Sequence, residues 1–196
     1  AYGSPTVSNF GPAPGMKSIY FDGTNDYLYM GTGLFGSGDF TIEFWWYPPE
    51  DGDSWTASDV SGVGSHTFID SRGGTRLQLW LLFSSSSSAA ANSTGGYTSS
   101  YYGNAGSMYW QHVERRWTHF AYQRTSGTLR CYVNGIDQGW TTTNNSNASA
   151  NTTYIGARHD NQATRLKGYI SNYRISNVAR YTGNFTPPTS LSLIHI

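Results

Sequence analysis

Apolar and polar residues alternate with a period of two through most of the chain, and no apolar stripe at helical spacing reaches useful length. In DFTIEFWWYPP, Phe40, Ile42, Phe44 and Trp46 fall on one face, and Thr41, Glu43, Trp45 and Tyr47 on the other. Pro48 and Pro49 then end the pairing, because neither can donate a ladder hydrogen bond. KSIYFDGTNDYLYM predicts strands over 18–21 and 27–30 around the polar turn Asp22-Gly23-Thr24-Asn25-Asp26. TFIDS and RLQLWLLF follow. WTHFAYQRTSGTLRCYVNG predicts two strands around Thr125-Ser126-Gly127, with Asn134-Gly135 as the next hairpin turn. TTYIGAR and LKGYISNYRIS complete the set. Strands punctuated by turns this often predict an all-β fold, a two-sheet antiparallel β-sandwich.

Three stretches do not alternate and read as loops: 50–65, 84–110 and 141–151. Loops of this length inside one domain are functional or disordered. The middle one opens with five serines, 84–88, and then carries Tyr97, Tyr101, Tyr102, Tyr109 and Trp110, with Gly95, Gly96 and Gly106 supplying mobility. Exposed rings beside neutral hydrogen-bonding groups suit stacking against a sugar, so these five are the candidate ligand-binding residues. The same rings would also serve to pack the loop onto a sheet or to fill an oligomer interface. Near the end, RYTGNFTPP (180–188) closes on Pro187 and Pro188, which cannot join a ladder. It predicts an extended strap that leaves the sheet and runs over the surface.

Composition narrows the function classes. Twelve Lys and Arg balance twelve Asp and Glu, and only 12% of residues are charged, so there is no footprint for nucleic acid or an anionic membrane. No apolar run approaches the ~18 residues of a membrane-spanning helix. Fifteen Tyr and seven Trp among Ser, Thr, Asn and Gly suit an extracellular or virion surface that contacts sugar or protein. The single cysteine, Cys131, excludes a disulfide within the chain; sharing a strand face with Leu129 and Val133, it reads as a small buried hydrophobe. Ala1 is not an initiator Met, and AYGSPTVSNF lacks the regions of a signal peptide. LSLIHI, back-translated with one choice of codons, resembles a transposon-end sequencing adapter. The chain is therefore expected to be a fragment, with 1–16 an N-terminal extension or edge strand, 17–190 the sandwich, and 191–196 a non-native tail in which His195 carries no chemistry.

Catalytic motifs are absent from the sequence. No G-x-S-x-G elbow, HExxH, CxxC or P-loop occurs, and His66, His112, His119 and His159 are scattered without ligand spacing. Retaining glycoside hydrolysis needs two carboxyl groups about 5–5.5 Å apart. Glu43 and Asp70 each stand alone on separate strands, and Glu43 reads as a hydrogen-bonded sheet residue.

YFDGTNDYLYM, FTIEFWWYP, WTHFAYQRTSGTLRCYVNGI, TYIGAR and LKGYISNYRIS, in this order over about 17–190, resemble the laminin-G-like branch of the concanavalin A-like lectin/glucanase superfamily. The last two, with ARYTGNFTPPT, are most similar to the form found in structural proteins of tailed bacteriophages, where this segment is the strap closing the sandwich. The resemblance implies a concanavalin A-like jelly roll. The superfamily's hydrolases carry Glu-x-Asp-x-x-Glu, whereas TIEFWWY holds only Glu43, which implies a non-catalytic chain. Many relatives hold calcium at a sandwich rim, which implies Asp22 and Asp26, or Asp51 and Asp53, as candidate ligands of a structural calcium; the same acids also read as turn caps. No other cofactor is implied. The resulting reading is a recognition or structural module of a phage virion protein, such as a tail fibre, tail tip or capsid appendage. Its partners would be host-surface glycan, neighbouring virion subunits or further copies of itself. The alternative is a carbohydrate-binding module or remnant glycosidase domain of a secreted bacterial protein.

Overall fold

The computed structural model describes residues 1–47, 64–72, 76–83, 93–99, 107–111, 116–143, 145, 147–158 and 165–190. Among them are thirteen strands: β1 (Thr6–Ser8), β2 (Ser18–Asp22), β3 (Leu28–Thr32), β4 (Phe40–Tyr47), β5 (Gly64–Arg72), β6 (Arg76–Phe83), β7 (Ser93–Ser99), β8 (Ser107–Gln111), β9 (Thr118–Thr125), β10 (Thr128–Val133), β11 (Ile136–Thr143), β12 (Thr152–Ile155) and β13 (Lys167–Ser176). They form two antiparallel sheets, one ordered β1-β2-β13-β4-β9-β10-β11 and the other β3-β12-β5-β6-β7-β8. The all-β sandwich expected from the alternation is the fold. The hairpins follow local chemistry: Ser126 and Gly127 between β9 and β10, and Asn134 and Gly135 between β10 and β11, all have positive φ, as the hairpin turns that match strand twist require.

All three expected loops are in part strand, the first, 50–65, giving Gly64 and Ser65 to β5. The stretch 84–110 contains β7 and most of β8, and β11 runs into 141–151 as far as Thr143. STGGYTS offers no apolar alternation, yet its backbone pairs residue for residue with β6, from Gln78↔Ser99 to Phe83↔Thr94. Alternation reports a contrast between a buried and a solvated face, whereas a ladder needs only backbone donors and acceptors. A Ser- and Gly-rich strand is therefore invisible to that pattern.

Between the sheets lies an aromatic core. Phe44 packs against Phe68 at 4.8 Å, Tyr173 at 5.1 Å and Phe120 at 5.6 Å between ring centroids, with Phe21, Ile42, Trp46, Leu129, Cys131 and Ile155 around them. The alternating positions of β4 and β9 point there as the sequence predicts. The outward positions behave differently: Thr41, Glu43 and Trp45 on β4, and His119, Ala121 and Gln123 on β9, are buried as well. A strand buried on both faces needs a second cover, and that cover defines the candidate site.

Candidate functional site on the outer face of the seven-stranded sheet

The cover is the segment 177–190, which carries no strand of its own and crosses the outer face of β4 and β9. Lacking a ladder, its backbone is satisfied by side chains of the sheet beneath. Gln123 does most of this with one amide: its Oε1 accepts from the Arg180 N–H at 2.7 Å and the Tyr181 N–H at 2.9 Å, and its Nε2 donates to the Tyr181 carbonyl at 2.7 Å. Thr41 Oγ1 donates to the Val178 carbonyl at 2.8 Å, and Trp45 Nε1 to the Pro188 carbonyl at 3.0 Å. Further along, the Phe185 N–H donates to the Gly135 carbonyl at 2.9 Å. Phe185 stacks on Tyr181 at 3.5 Å and meets His119 and Tyr132 edge-on.

Under the strap, Glu43 is 1% exposed. Arg174 donates Nε–H to its Oε1 at 2.6 Å, and Arg180 Nε lies 3.0 Å from the same oxygen as an ion pair without hydrogen-bond alignment. The Tyr181 hydroxyl donates to Oε2, and His119 Nε2 is 3.5 Å from Oε2. Burial alone would raise the carboxyl's pKa; the hydrogen bonds from His119 and Tyr181, with the charge of Arg174, outweigh it and leave Glu43 below its ordinary range. The Tyr181 phenol is pushed up to about 12 by burial and by Glu43. Arg174 reaches this face because β13 carries a bulge between Ser171 and Arg174, with Asn172 at φ 49°. The extra residue resets the alternation, turning Tyr173 inward onto Phe44 and Arg174 outward onto Glu43.

The strap ends on Trp45, and the next outward position on β4 lies beyond it. There Tyr47 stands opposite Tyr169 of β13, which stands opposite Tyr20 of β2, so three tyrosines occupy one register across three strands. Phe10, 43% exposed, joins them from the N-terminal segment, with centroids 4.8 Å from Tyr47 and 5.2 Å from Tyr169. Trp117 closes the group at 5.3 Å from Phe10 and 5.5 Å from Tyr47, its Nε1 buried and without a partner among the described residues. Tyr20, Tyr47, Tyr169 and Trp117 are half-buried. This ringed row, edged by Asp22 and Lys167 at the next register along β2 and β13, is what the outer face presents beside the strap.

The residues singled out from sequence are distributed differently. Tyr97 lies on β7 and Tyr109 and Trp110 on β8, in the six-stranded sheet, where Gly95 pairs with Tyr109 and Thr94 with Trp110. Tyr101, Tyr102, Asp51 and Asp53 lie outside the described residues, as does the tail 191–196. Asp22 Oδ1 accepts N–H groups of its own turn, from Thr24 at 2.7 Å and Asn25 at 3.1 Å. Asp26 accepts from Ser4 at 2.7 Å and Asp22 at 3.0 Å. The slight burial of Asp22 raises its pKa, and the three amides of Thr24, Asn25 and Asp26 more than offset this, so the group is held below its ordinary value. Amide protons, rather than converging carboxylates, thus organise this turn, and among the described residues no three His, Cys, Asp or Glu side chains group to hold a metal. Glu43 and Asp70 belong to different sheets and are not brought together. Sequence reasoning missed Tyr20, Tyr169, Trp117 and Phe10. For Tyr20 and Tyr169 the available signal was an aromatic residue at an outward strand position; Phe10 and Trp117 lie outside the strands and offered no such signal.

Residues 22–182 match a laminin G family of the concanavalin A-like lectin/glucanases superfamily. The chain belongs to this superfamily. Solved structures similar to the chain share its fold at low identity. Domain 4 of AbnA, an extracellular GH43 arabinanase of Geobacillus stearothermophilus solved with arabinotriose, is 16% identical over 90% of this chain and 77% of its own, with a TM-score of 0.58. Tailspike protein 2 of the Escherichia coli O157:H7 bacteriophage CAB120 is 11% identical with a TM-score of 0.60, over 90% of this chain but 25% of its own. Domains LG4-5 of the mouse laminin α1 chain give 11% and 0.54, over 85% and 44%. No curated protein sequence matches the chain. A concanavalin A-like domain is a scaffold shared by lectins and glucanases, so its function is argued from its surfaces.

Proposed function

We propose that the chain is a non-catalytic recognition module that binds glycan on the row formed by Tyr20, Tyr169, Tyr47, Phe10 and Trp117. We place it in a phage virion protein, at the virion surface. The observation that carries this reading is the row itself: five rings gathered on one sheet face and left partly open beside neutral and charged hydrogen-bonding groups. Two likenesses support it, a domain solved with a bound arabino-oligosaccharide and a phage tailspike. The non-catalytic reading rests on Glu43, whose carboxylate is engaged by two arginines and a tyrosine under the strap, and on Asp70 lying in the other sheet.

A glycan array on the purified chain, followed by titration of the best hit, tests the proposal. Tyr47→Ala and Trp117→Ala are each expected to weaken binding about tenfold at unchanged fold, the loss of about 1.4 kcal/mol of ring contact. A loss seen instead in Tyr101→Ala, Tyr102→Ala or Trp110→Ala would move the site to the stretch 97–110. Binding to virion subunits that ignores both sets and any added sugar would assign the module to assembly. Release of reducing ends from a polysaccharide panel that disappears in Asp70→Asn or Glu43→Gln would make it an enzyme.

A further inference from the structure

At the side of the sandwich formed by β1 and β2 in one sheet and β3 and β12 in the other, the described residues leave the core open. A cavity of about 370 Å³ opens there between the sheets. Val7 and Met30 line it and remain 73% and 41% exposed, although a sandwich normally buries apolar residues at such positions. Strand register gives the cavity two unlike ends. Where Ile19 pairs with Ile170 and Leu28 with Ile155, the wall is wholly apolar and Phe21 forms its floor. Where Ser18 pairs with Ser171, the wall turns polar, with Lys17, Asn172 and Tyr173. The two serine hydroxyls are already engaged, Ser18 Oγ with the Phe10 carbonyl and Ser171 Oγ with the Lys17 carbonyl. The Tyr173 hydroxyl is buried and has no partner among the described residues. An unpaired buried hydroxyl is costly and rare in a native protein, and here it belongs to a residue that the β13 bulge turns inward.

We propose that this open edge is a binding site for a small amphipathic acid. Its aliphatic body would lie against Ile19, Leu28, Ile155 and Ile170, and its carboxylate would accept a hydrogen bond from Tyr173 beside the ammonium of Lys17. The volume falls within the range of small-molecule sites, and the split between an apolar wall and one polar end matches a single-headed chain. This site is separate from the aromatic row, which lies on the outer face of the same sheet, so either assignment can fail without the other.

Decanoate is the probe, titrated into the purified chain by calorimetry with a parallel thermal shift. One saturable site and a rise in Tm are expected. Met30→Trp, which fills the mouth at an already exposed position, is expected to abolish the heat while leaving the circular dichroism unchanged; Leu28→Trp is the second filling variant. Tyr173→Phe is expected to weaken decanoate about tenfold without loss of stability, since it removes an unpaired group. Lys17→Ala is expected to weaken decanoate but not decanol. The absence of saturable binding, or equal binding by both filling variants, would overturn the proposal. So would retention of the protein on phosphatidylglycerol vesicles, which would mark the edge as a lipid-surface contact rather than a site for a free chain.

Discussion

Glu43 shows how much one outward residue can hold. Replacing it by Gln keeps the shape but removes the charge that Arg174 and Arg180 face, and breaking a buried ion pair from one side costs about 3 kcal/mol. The expected outcome is a clearly lower Tm at pH 7, measured by circular dichroism. The sign of the pH dependence follows from the lowered carboxyl. Its stabilisation is complete above the unfolded value near 4.5 and is lost as pH falls through the lower folded value, so Tm should drop on acidification below about pH 4.5 and the Glu43→Gln profile should be flatter there. Gln123→Ala should cost a comparable amount, about 3 kcal/mol in urea unfolding, because it strands the Arg180 and Tyr181 amides at once. The sequence identified Glu43 as a hydrogen-bonded sheet residue, and that is its state. Its partners were not legible, since Arg174 lies 131 positions away and reaches it only through a bulge that alternation does not encode.

At the scale of elements, the strap is the feature that the sequence announced most clearly, through two prolines that no ladder accepts. Where it docks is fixed by a glycine. Gly135 has φ 78°, and a Cβ there would come within 1.8 Å of the Phe185 carbonyl oxygen. Gly135→Ala is therefore expected to lift the Phe185 end of the strap and destabilise the domain by more than the roughly 1 kcal/mol of backbone strain alone, with faster hydrogen exchange at the Phe185 amide as the specific readout. Asn134 makes the same turn adhesive from the other side, its Oδ1 accepting the His119 N–H at 3.0 Å. β7 and β8 illustrate the opposite limit, where backbone pairing makes strands that side-chain pattern does not reveal.

For the molecule as a whole, the packing of both sheet faces predicts cooperative behaviour. Cys131 sits in the core, and burial, reinforced by Asp137, pushes its thiol up to about 12. It should react with a disulfide reagent only as fast as the domain unfolds, and labelling rates in rising urea should track the global transition; fast labelling in native buffer would contradict the packing. By itself the sequence determined the all-β class, the inward residues of β4 and β10, the two hairpin turns and the strap, because each depends on alternation or turn chemistry within a few neighbouring residues. Only the tertiary structure decided that Glu43 and Gln123 are covered while Tyr20, Tyr47 and Tyr169 stay open. It alone also decided that the sandwich gapes beside Tyr173. Those outcomes depend on strand order and on which segment lies over which face, contacts that join residues from 57 to well over a hundred positions apart and leave no local period to read.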